Sequence, residues 1–340
     1  MILEGTFCVA QDFQEPILVR HKETRPTMII STEDIATAPS ATKRMADRIE
    51  PASAITHEQT PHSEEEVVYS PFGHLGLGLS VWREMVRELI NGRELIWRLY
   101  LRDFSARYRQ SFLGYIWAVI PALVTAITFS WLNKTKMLPI PGTVLPYTLF
   151  VLINMSVWQL FANGLIGATQ SLVSAGALIT KINFPRESLV IAAVGQSVFQ
   201  FVISIFLVAG AFILYHVTPA WTVIWIPLAM LPLCLFTLGL GFVLSLINGV
   251  MRDAGQVITF VLMFWMFLTP VVYPAPEKGA KLISLLNPVS PFVVAAQDLV
   301  SKGRLSHPGI YAIGCVISAA VFLLGWRLFH LTEPRIAERV

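Results

Sequence analysis

Between Ser111 and Asn133 the chain carries no charged side chain, and runs of similar character recur five more times before residue 331. The six runs cover 111–132, 144–167, 188–215, 221–247, 255–273 and 308–329. A hydrocarbon layer about 30 Å thick requires about 20 apolar residues per helix, so each run has roughly the length to cross one. The runs are continuous rather than alternating over stretches of about ten residues, which predicts helices and not barrel strands. Prolines sit inside or beside them at Pro121, Pro227, Pro232 and Pro270. Membrane helices accept prolines where neighbouring groups satisfy the freed carbonyls. Only 14% of the residues are charged, against about 25% in a soluble domain. The expected fold is an all-α membrane protein with six transmembrane helices.

The placement of positive charge orients those helices. With the N-terminus inside, the inner-side segments carry Arg83, Arg87, Arg93, Arg98, Arg102, Arg107, Arg109, Lys181, Arg186, Arg252, Arg327, Arg335 and Arg339. The outer side carries Lys134, Lys136, Lys278, Lys281, Lys302 and Arg304. This asymmetry predicts both termini in the cytoplasm. The basic junction RDFSARYRQSFLGYIWAVIPAL, beginning at Arg102, then lies at the inner leaflet and anchors the first span.

Residues 1–70 are polar, with five spaced prolines and the acidic run Glu64–Glu66, and show no lasting apolar period. They read as a disordered cytoplasmic extension. Residues 80–110 differ. Trp82, Met85, Val86, Leu89, Ile96, Trp97, Tyr100, Phe104 and Tyr108 recur at three- and four-residue spacing, with Arg83, Glu84, Arg87, Glu88, Arg98 and Arg102 on the other face. This predicts an amphipathic helix in the plane of the inner leaflet, bent near Asn91–Gly92. Between the second and third spans, a short helix from Ser174 to Lys181 is expected to end near Asn183, leaving Phe184 exposed before Pro185. Between the fifth and sixth spans, an apolar stretch broken by Pro288 and Pro291 predicts short re-entrant helices in the outer leaflet. Residues 332–340 form a cytoplasmic tail.

Several chemistries are excluded by absence from the sequence. No G-x-x-x-x-G-K-[ST] is present, so the chain lacks the loop that cradles nucleotide phosphates. There is no H-E-x-x-H, the histidines are scattered, and Cys8, Cys234 and Cys315 stand apart, so no metal site and no disulfide framework is expected. No catalytic residues stand out, and no cofactor or nucleic-acid partner is expected for the chain itself. The cores of the six runs contain no Asp, Glu, Lys, Arg or His, whereas proton-driven carriers require intramembrane ionisable groups. A multispan chain of this kind is expected to take its energy from a partner.

The segments LRDFSARYRQSFLGYIWAVIPAL, KINFPRESLV, MRDAGQVITFVLMFWMFLTPVVYP and LNPVSPFVVAAQDLV, in that order, resemble four signature regions of type-2 ABC exporter permeases. The resemblance is nearest to the branch exporting O-antigen, capsule and teichoic-acid polymers. It covers residues 80–340, with 111–331 as the six-span permease domain. It implies a homodimer working with two copies of a separate cytoplasmic ATPase that holds ATP and Mg. It also implies a bacterial inner-membrane location and passage of an undecaprenyl-pyrophosphate-linked glycan between the two permeases.

The resemblance further implies roles for particular residues. Leu178, Lys181, Phe184, Pro185 and Arg186 fall in the coupling segment that docks on the ATPase; an ordinary connecting loop is the alternative. Arg102, Arg107, Tyr108 and Arg109 are candidates for admitting the lipid pyrophosphate, because guanidinium groups bind phosphate bidentately. Their alternative is a topology anchor. Tyr115, Trp117, Phe260, Phe264 and Phe267 are candidates to line a glycan conduit, against the ordinary fate of membrane aromatics, which is to face lipid. Two other functions compete: export of drugs or simple lipids by the same superfamily, and a membrane-bound glycan polymerase or glycosyltransferase.

Overall fold

A computed structural model of the protein describes residues 79–108, 117, 119–137, 143, 145–179, 184–274 and 287–336, and every regular element among them is helical. The expected disordered extension lies outside these residues. So do Arg109, Tyr115, Lys181 and residues 275–286 of the connection expected to hold re-entrant helices.

The elements are α1 (Leu79–Asn91), α2 (Arg93–Tyr108), α3 (Ile120–Lys134), α4 (Tyr147–Ser174), α5 (Gly176–Ile179) and α6 (Glu187–Leu214). After a 3-10 turn at Trp221–Trp225 come α7 (Ile226–Ala229), α8 (Leu231–Val250), α9 (Ala254–Leu268), α10 (Ser290–Ser301) and α11 (Pro308–Ile336). Four stretches are long and apolar enough to cross a membrane: Tyr147–Ser174, Glu187–Leu214, Trp221–Val250 and Pro308–Thr332. The residues expected to begin a cytoplasmic tail at 332 continue α11 to Ile336.

Proline explains most of the boundaries. Pro121, Pro227, Pro232 and Pro291 each occupy one of the first two positions of a helix, where the missing N–H would have had no intrahelical partner. Pro270 acts differently, because it forces the preceding residue out of the helical region. Thr269 is extended (φ −93°, ψ 139°), and α9 ends at Leu268. The run 255–273 is therefore not one helix throughout. At 15 residues, α9 reaches about 22 Å, short of a layer of about 30 Å. The helix described within the run 111–132 is likewise 15 residues, Ile120–Lys134.

The long helix α4 forms the centre and is buried along nearly its whole length, against α3, α6, α8, α9 and α10. Apolar burial alone cannot draw helices together in lipid, so close approach of backbones carries the packing. At Gly164 a Cβ would lie 2.7 Å from Ser197 Oγ and 2.9 Å from Thr237 Cγ2. The α8–α11 crossing is tighter: a Cβ on Gly239 would lie 2.6 Å from Phe322 Cα, and one on Gly325 would collide with the Gly239 carbonyl oxygen. These two backbones touch, and only glycine fits.

At one end, a second apolar cluster joins Val81, Met85, Leu99, Ala168, Leu172, Val190, Phe242, Trp326 and Phe329. The amphipathic segment breaks at Gly92. Its first half, α1, buries Val81 and Met85 here and sets Trp82 edge-on to Trp326, with ring centroids 6.0 Å apart. Only part of the apolar face expected to lie in the leaflet is thus available to it. Part of that face covers the ends of the long helices, whose side chains would otherwise be bare. Val86, Ile90, Trp97 and Leu101 stay exposed. Helix α2 runs along α6, with Phe104 edge-on to Phe199 at 4.8 Å.

Gly239→Val should lower the thermal midpoint of the detergent-purified protein, since overpacking costs about 1–3 kcal/mol even where only side chains must shift. Gly249→Val, at a position with open space around it, should leave the stability within about 0.5 kcal/mol of the parent.

Candidate functional site

The segment after α9 is non-helical backbone packed inside the protein. At membrane depth such backbone persists only when its polar groups find partners. Tyr147 OH donates to the Val272 carbonyl at 2.7 Å, and Asn154 Nδ2 donates to Val271 O at 3.0 Å. Gln297 Nε2 donates to Pro270 O at 3.3 Å. Asn287 ties the rest together: its Nδ2 donates to Thr269 Oγ1 (2.8 Å) and Leu268 O (3.4 Å), and its Oδ1 accepts from Trp265 Nε1 (3.0 Å) and Val289 N (3.1 Å). One buried asparagine thus fastens the end of α9 to the start of α10.

The other end of α9 is fastened the same way. Asn248, buried at the end of α8, accepts from Gly255 N at 2.9 Å and donates to the Thr169 carbonyl of α4 at 3.0 Å. Between these two clamps the helix is thinly covered. Gly255 and Leu262 are its only fully buried residues, while Trp265 turns inward to meet Phe161 edge-on at 5.3 Å.

The opposite face is bare. Phe260, Phe264 and Phe267 are 64%, 68% and 49% exposed and share one stripe, being four and three residues apart. Trp117 is also exposed, as are Val124, Ile127 and Trp131 of α3. The structure thus places three of the five conduit candidates together and a fourth, Trp117, on the surface ahead of α3; Tyr115 lies outside the described residues.

The expected coupling segment follows α4. After a break at Ala175, helix α5 covers Gly176–Ile179, and residues 180–183, where the predicted Ser174–Lys181 helix was to end, lie outside the described residues. Phe184 is half-buried rather than exposed and packs, with Leu178, against the cluster containing Leu172 and Val190. An aromatic this close to apolar helix ends gains more by closing over them than by standing in water. Pro185 and Arg186 begin the turn into α6 through the hydrogen bonds Ser188 N to Pro185 O and Leu189 N to Arg186 O.

Glu187, next in the chain, escaped the sequence reading. Its residue is 1% exposed. Its Oε1 accepts from Trp326 Nε1 at 3.1 Å and lies 3.1 Å from His330 Nδ1. As the first residue of α6, it also faces the positive end of the helix dipole. The segment leading into α6 is thereby joined to α11, and through Trp326 to α1. An acidic residue directly after Pro-Arg at a helix start was the available signal.

Of the four junction candidates, Arg102 forms a surface ion pair with Asp103 at 2.8 Å. Such pairs are worth about 0–1 kcal/mol, so a phosphate could displace the carboxylate. Arg107 and Tyr108 belong to the last turn of α2.

Several long apolar helices around a buried central one define a polytopic helical membrane protein. Residues 94–300 match the ABC-2 type transporter family, and the chain belongs to that family. It is 29% identical over 259 residues to a Myxococcus xanthus protein named O-antigen export system permease protein RfbA, covering 75% of this chain and 97% of the relative. A Klebsiella pneumoniae protein of the same name is 27% identical over 245 residues, covering 70% of this chain and 91% of its own.

Asn287→Leu should strand Trp265 Nε1 and the Leu268 carbonyl at a cost of about 1–3 kcal/mol for each group left buried without a partner. Thermal unfolding in detergent should show the loss, with faster amide exchange confined first to 265–273. Glu187→Ala should destabilise similarly, by about 2 kcal/mol, and Glu187→Gln by less, since the amide oxygen still accepts from Trp326.

Proposed function

We propose that this chain is the membrane permease subunit of an ABC exporter that carries a lipid-linked polysaccharide, an O-antigen, across the bacterial inner membrane. The observation carrying this reading is family membership together with alignment over nearly the whole length of relatives named as O-antigen export permeases. ATP is bound with Mg and hydrolysed by a separate cytoplasmic subunit, two copies of which serve two copies of the permease.

In this reading α3 and α9 complete the first and fifth of six crossings, with both termini in the cytoplasm and the outer connection re-entering through α10. The outward apolar faces of α3 and α9 support a paired arrangement, since an isolated chain leaves them uncovered. The stripe Phe260–Phe264–Phe267 then borders the passage, where aromatic faces stack on the C–H faces of sugars without selecting one sugar. Tyr115 and Trp117 extend that lining.

The loop holding Leu178, Lys181, Phe184, Pro185 and Arg186 transmits motion from the ATPase. Phe184 and Leu178 fix its base on the helix ends, and Glu187 passes displacement to α6 and α11 together. Arg102, Arg107, Tyr108 and Arg109 receive the undecaprenyl pyrophosphate at the inner leaflet.

Deleting the gene should trap lipid-linked polymer on the cytoplasmic face, and supplying the chain with its ATPase should restore surface polymer. Surface polymer at the parental level after deletion would contradict the assignment. Arg107→Lys and Arg109→Lys, alone and paired, keep the charge but remove the bidentate fork. Export should fall about tenfold or more in the pair, as loss of one charge-assisted bidentate contact costs at least about 1.4 kcal/mol, with the N-terminus still mapped inside. Normal export would reduce the junction to an anchor.

A further inference from the structure

Between the half of α6 nearest its C-terminus and the Trp221–Ala229 segment lies an open cavity of about 780 Å³. Its walls come from Phe201, Val208 and Phe212 of α6, Val157 of α4, Ile226 of α7 and Val300 of α10. The polar residues lining it are Ser156, His216 and Thr218. The Ser156 hydroxyl is already spent on the Leu152 carbonyl at 2.8 Å. His216 and Thr218 both belong to the turn after α6, so the cavity has one polar end and one apolar end.

The polar end is level with Trp221, 93% exposed, and with the exposed Trp225, residues of the type that settle among lipid head groups. From Phe201 to Ile213 the cavity follows α6 for about 18 Å. That is close to one leaflet of a hydrocarbon layer about 30 Å thick. Its size falls within the range of about 300–1,000 Å³ typical of ligand pockets, while its apolar walls give water too few partners to settle there.

Positive charge gathers at the same end. Gly303 abuts Ala220, a Cβ on the glycine falling 3.6 Å from that of the alanine. Ala220 N also donates to Val300 O at 3.0 Å. The Lys302–Arg304 corner is thus held against the turn that carries His216. Lys302 is paired with Asp298 at 2.9 Å, which leaves Arg304 as the exposed cation of this corner.

We infer that this cavity holds a membrane phospholipid, with alkyl chain along α6 between Phe212 and Phe201 and phosphate at the His216–Arg304 corner. The lipid wedges α6 against α7 and α10, on the side of the molecule away from Phe184–Glu187. A long polyisoprenoid carrier would overrun a cavity one leaflet deep, so the occupant is a resident lipid and not the cargo. The inference depends on the chain crossing a membrane and not on which polymer it exports.

The test compares the full-length parent chain with Ala209→Trp, which fills the cavity, and with Phe206→Trp, a control on the exposed side of α6. Each is purified, stripped with detergent and incubated with phosphatidylglycerol, and bound lipid is counted by native mass spectrometry. Circular dichroism checks that each variant is folded. The parent and Phe206→Trp should retain about one phosphatidylglycerol per chain, and Ala209→Trp at least tenfold less. A photoreactive acyl chain should label residues 201–217 in the parent. Equal retention in all three proteins, labelling elsewhere, or retention of polyisoprenyl phosphate in place of phospholipid would overturn the proposal. So would cross-linking of 201–217 to a second copy of the chain.

Discussion

The backbone of Thr269–Tyr273 leaves helical geometry in the interior of an apolar bundle, and the arrangement of α9 depends on making that tolerable. Each peptide group stranded in such a medium costs several kcal/mol (roughly). Four side chains from three other places in the sequence supply the donors: Tyr147 and Asn154 from α4, Gln297 from α10, and Asn287 from just ahead of it. Because those donors sit on the central helix and on α10, the end of α9 can rest in only one place. Asn248 fixes its beginning. A helix clamped at both ends needs little packing between them, and that freedom exposes the Phe260–Phe267 stripe.

The same economy operates at the start of α6. Glu187 is buried because α6 begins there and because Trp326 and His330 of α11 meet its carboxylate. The start of α6 and α11 are therefore tied together at this point. The α8–α11 contact at Gly239 and Gly325 has no side chain to compress, so α11 carries α8 with it. The path from the loop to α9 runs through α11, α8 and the Asn248 turn, each step a direct contact.

Much of this was legible in the sequence, for local reasons. Apolar run lengths located the four helices long enough to cross a membrane, and Gly92 marked the break between α1 and α2. The helix end before Pro270 was also readable in principle, because the residue preceding a proline avoids the helical region. What the sequence withheld were partnerships across long separations. Asn154 and Val271 are 117 positions apart, and Glu187 and His330 are 143 apart; no periodicity reports which carbonyl an asparagine will meet. Phe184 looked exposed because its neighbours in sequence are polar, but its neighbours in space are Leu178 and the ends of the long helices. The aromatics divided for a similar reason. Trp265 resembles Phe264 in composition, yet one turns to Asn287 and Phe161 while the other faces outward.

The proposed passage requires the Phe260–Phe267 stripe to border water instead of lipid. In a chain freed of Cys8, Cys234 and Cys315, single cysteines can replace Phe264 on the stripe and Phe206 on the exposed side of α6. Both positions are strongly exposed in the single chain. A hydrophilic maleimide should label Phe264→Cys in membranes containing the assembled exporter, less so when polymer is loaded, and should leave Phe206→Cys unmodified. Equal resistance at the two positions would contradict the account, because the stripe would then face lipid and the passage would lie elsewhere.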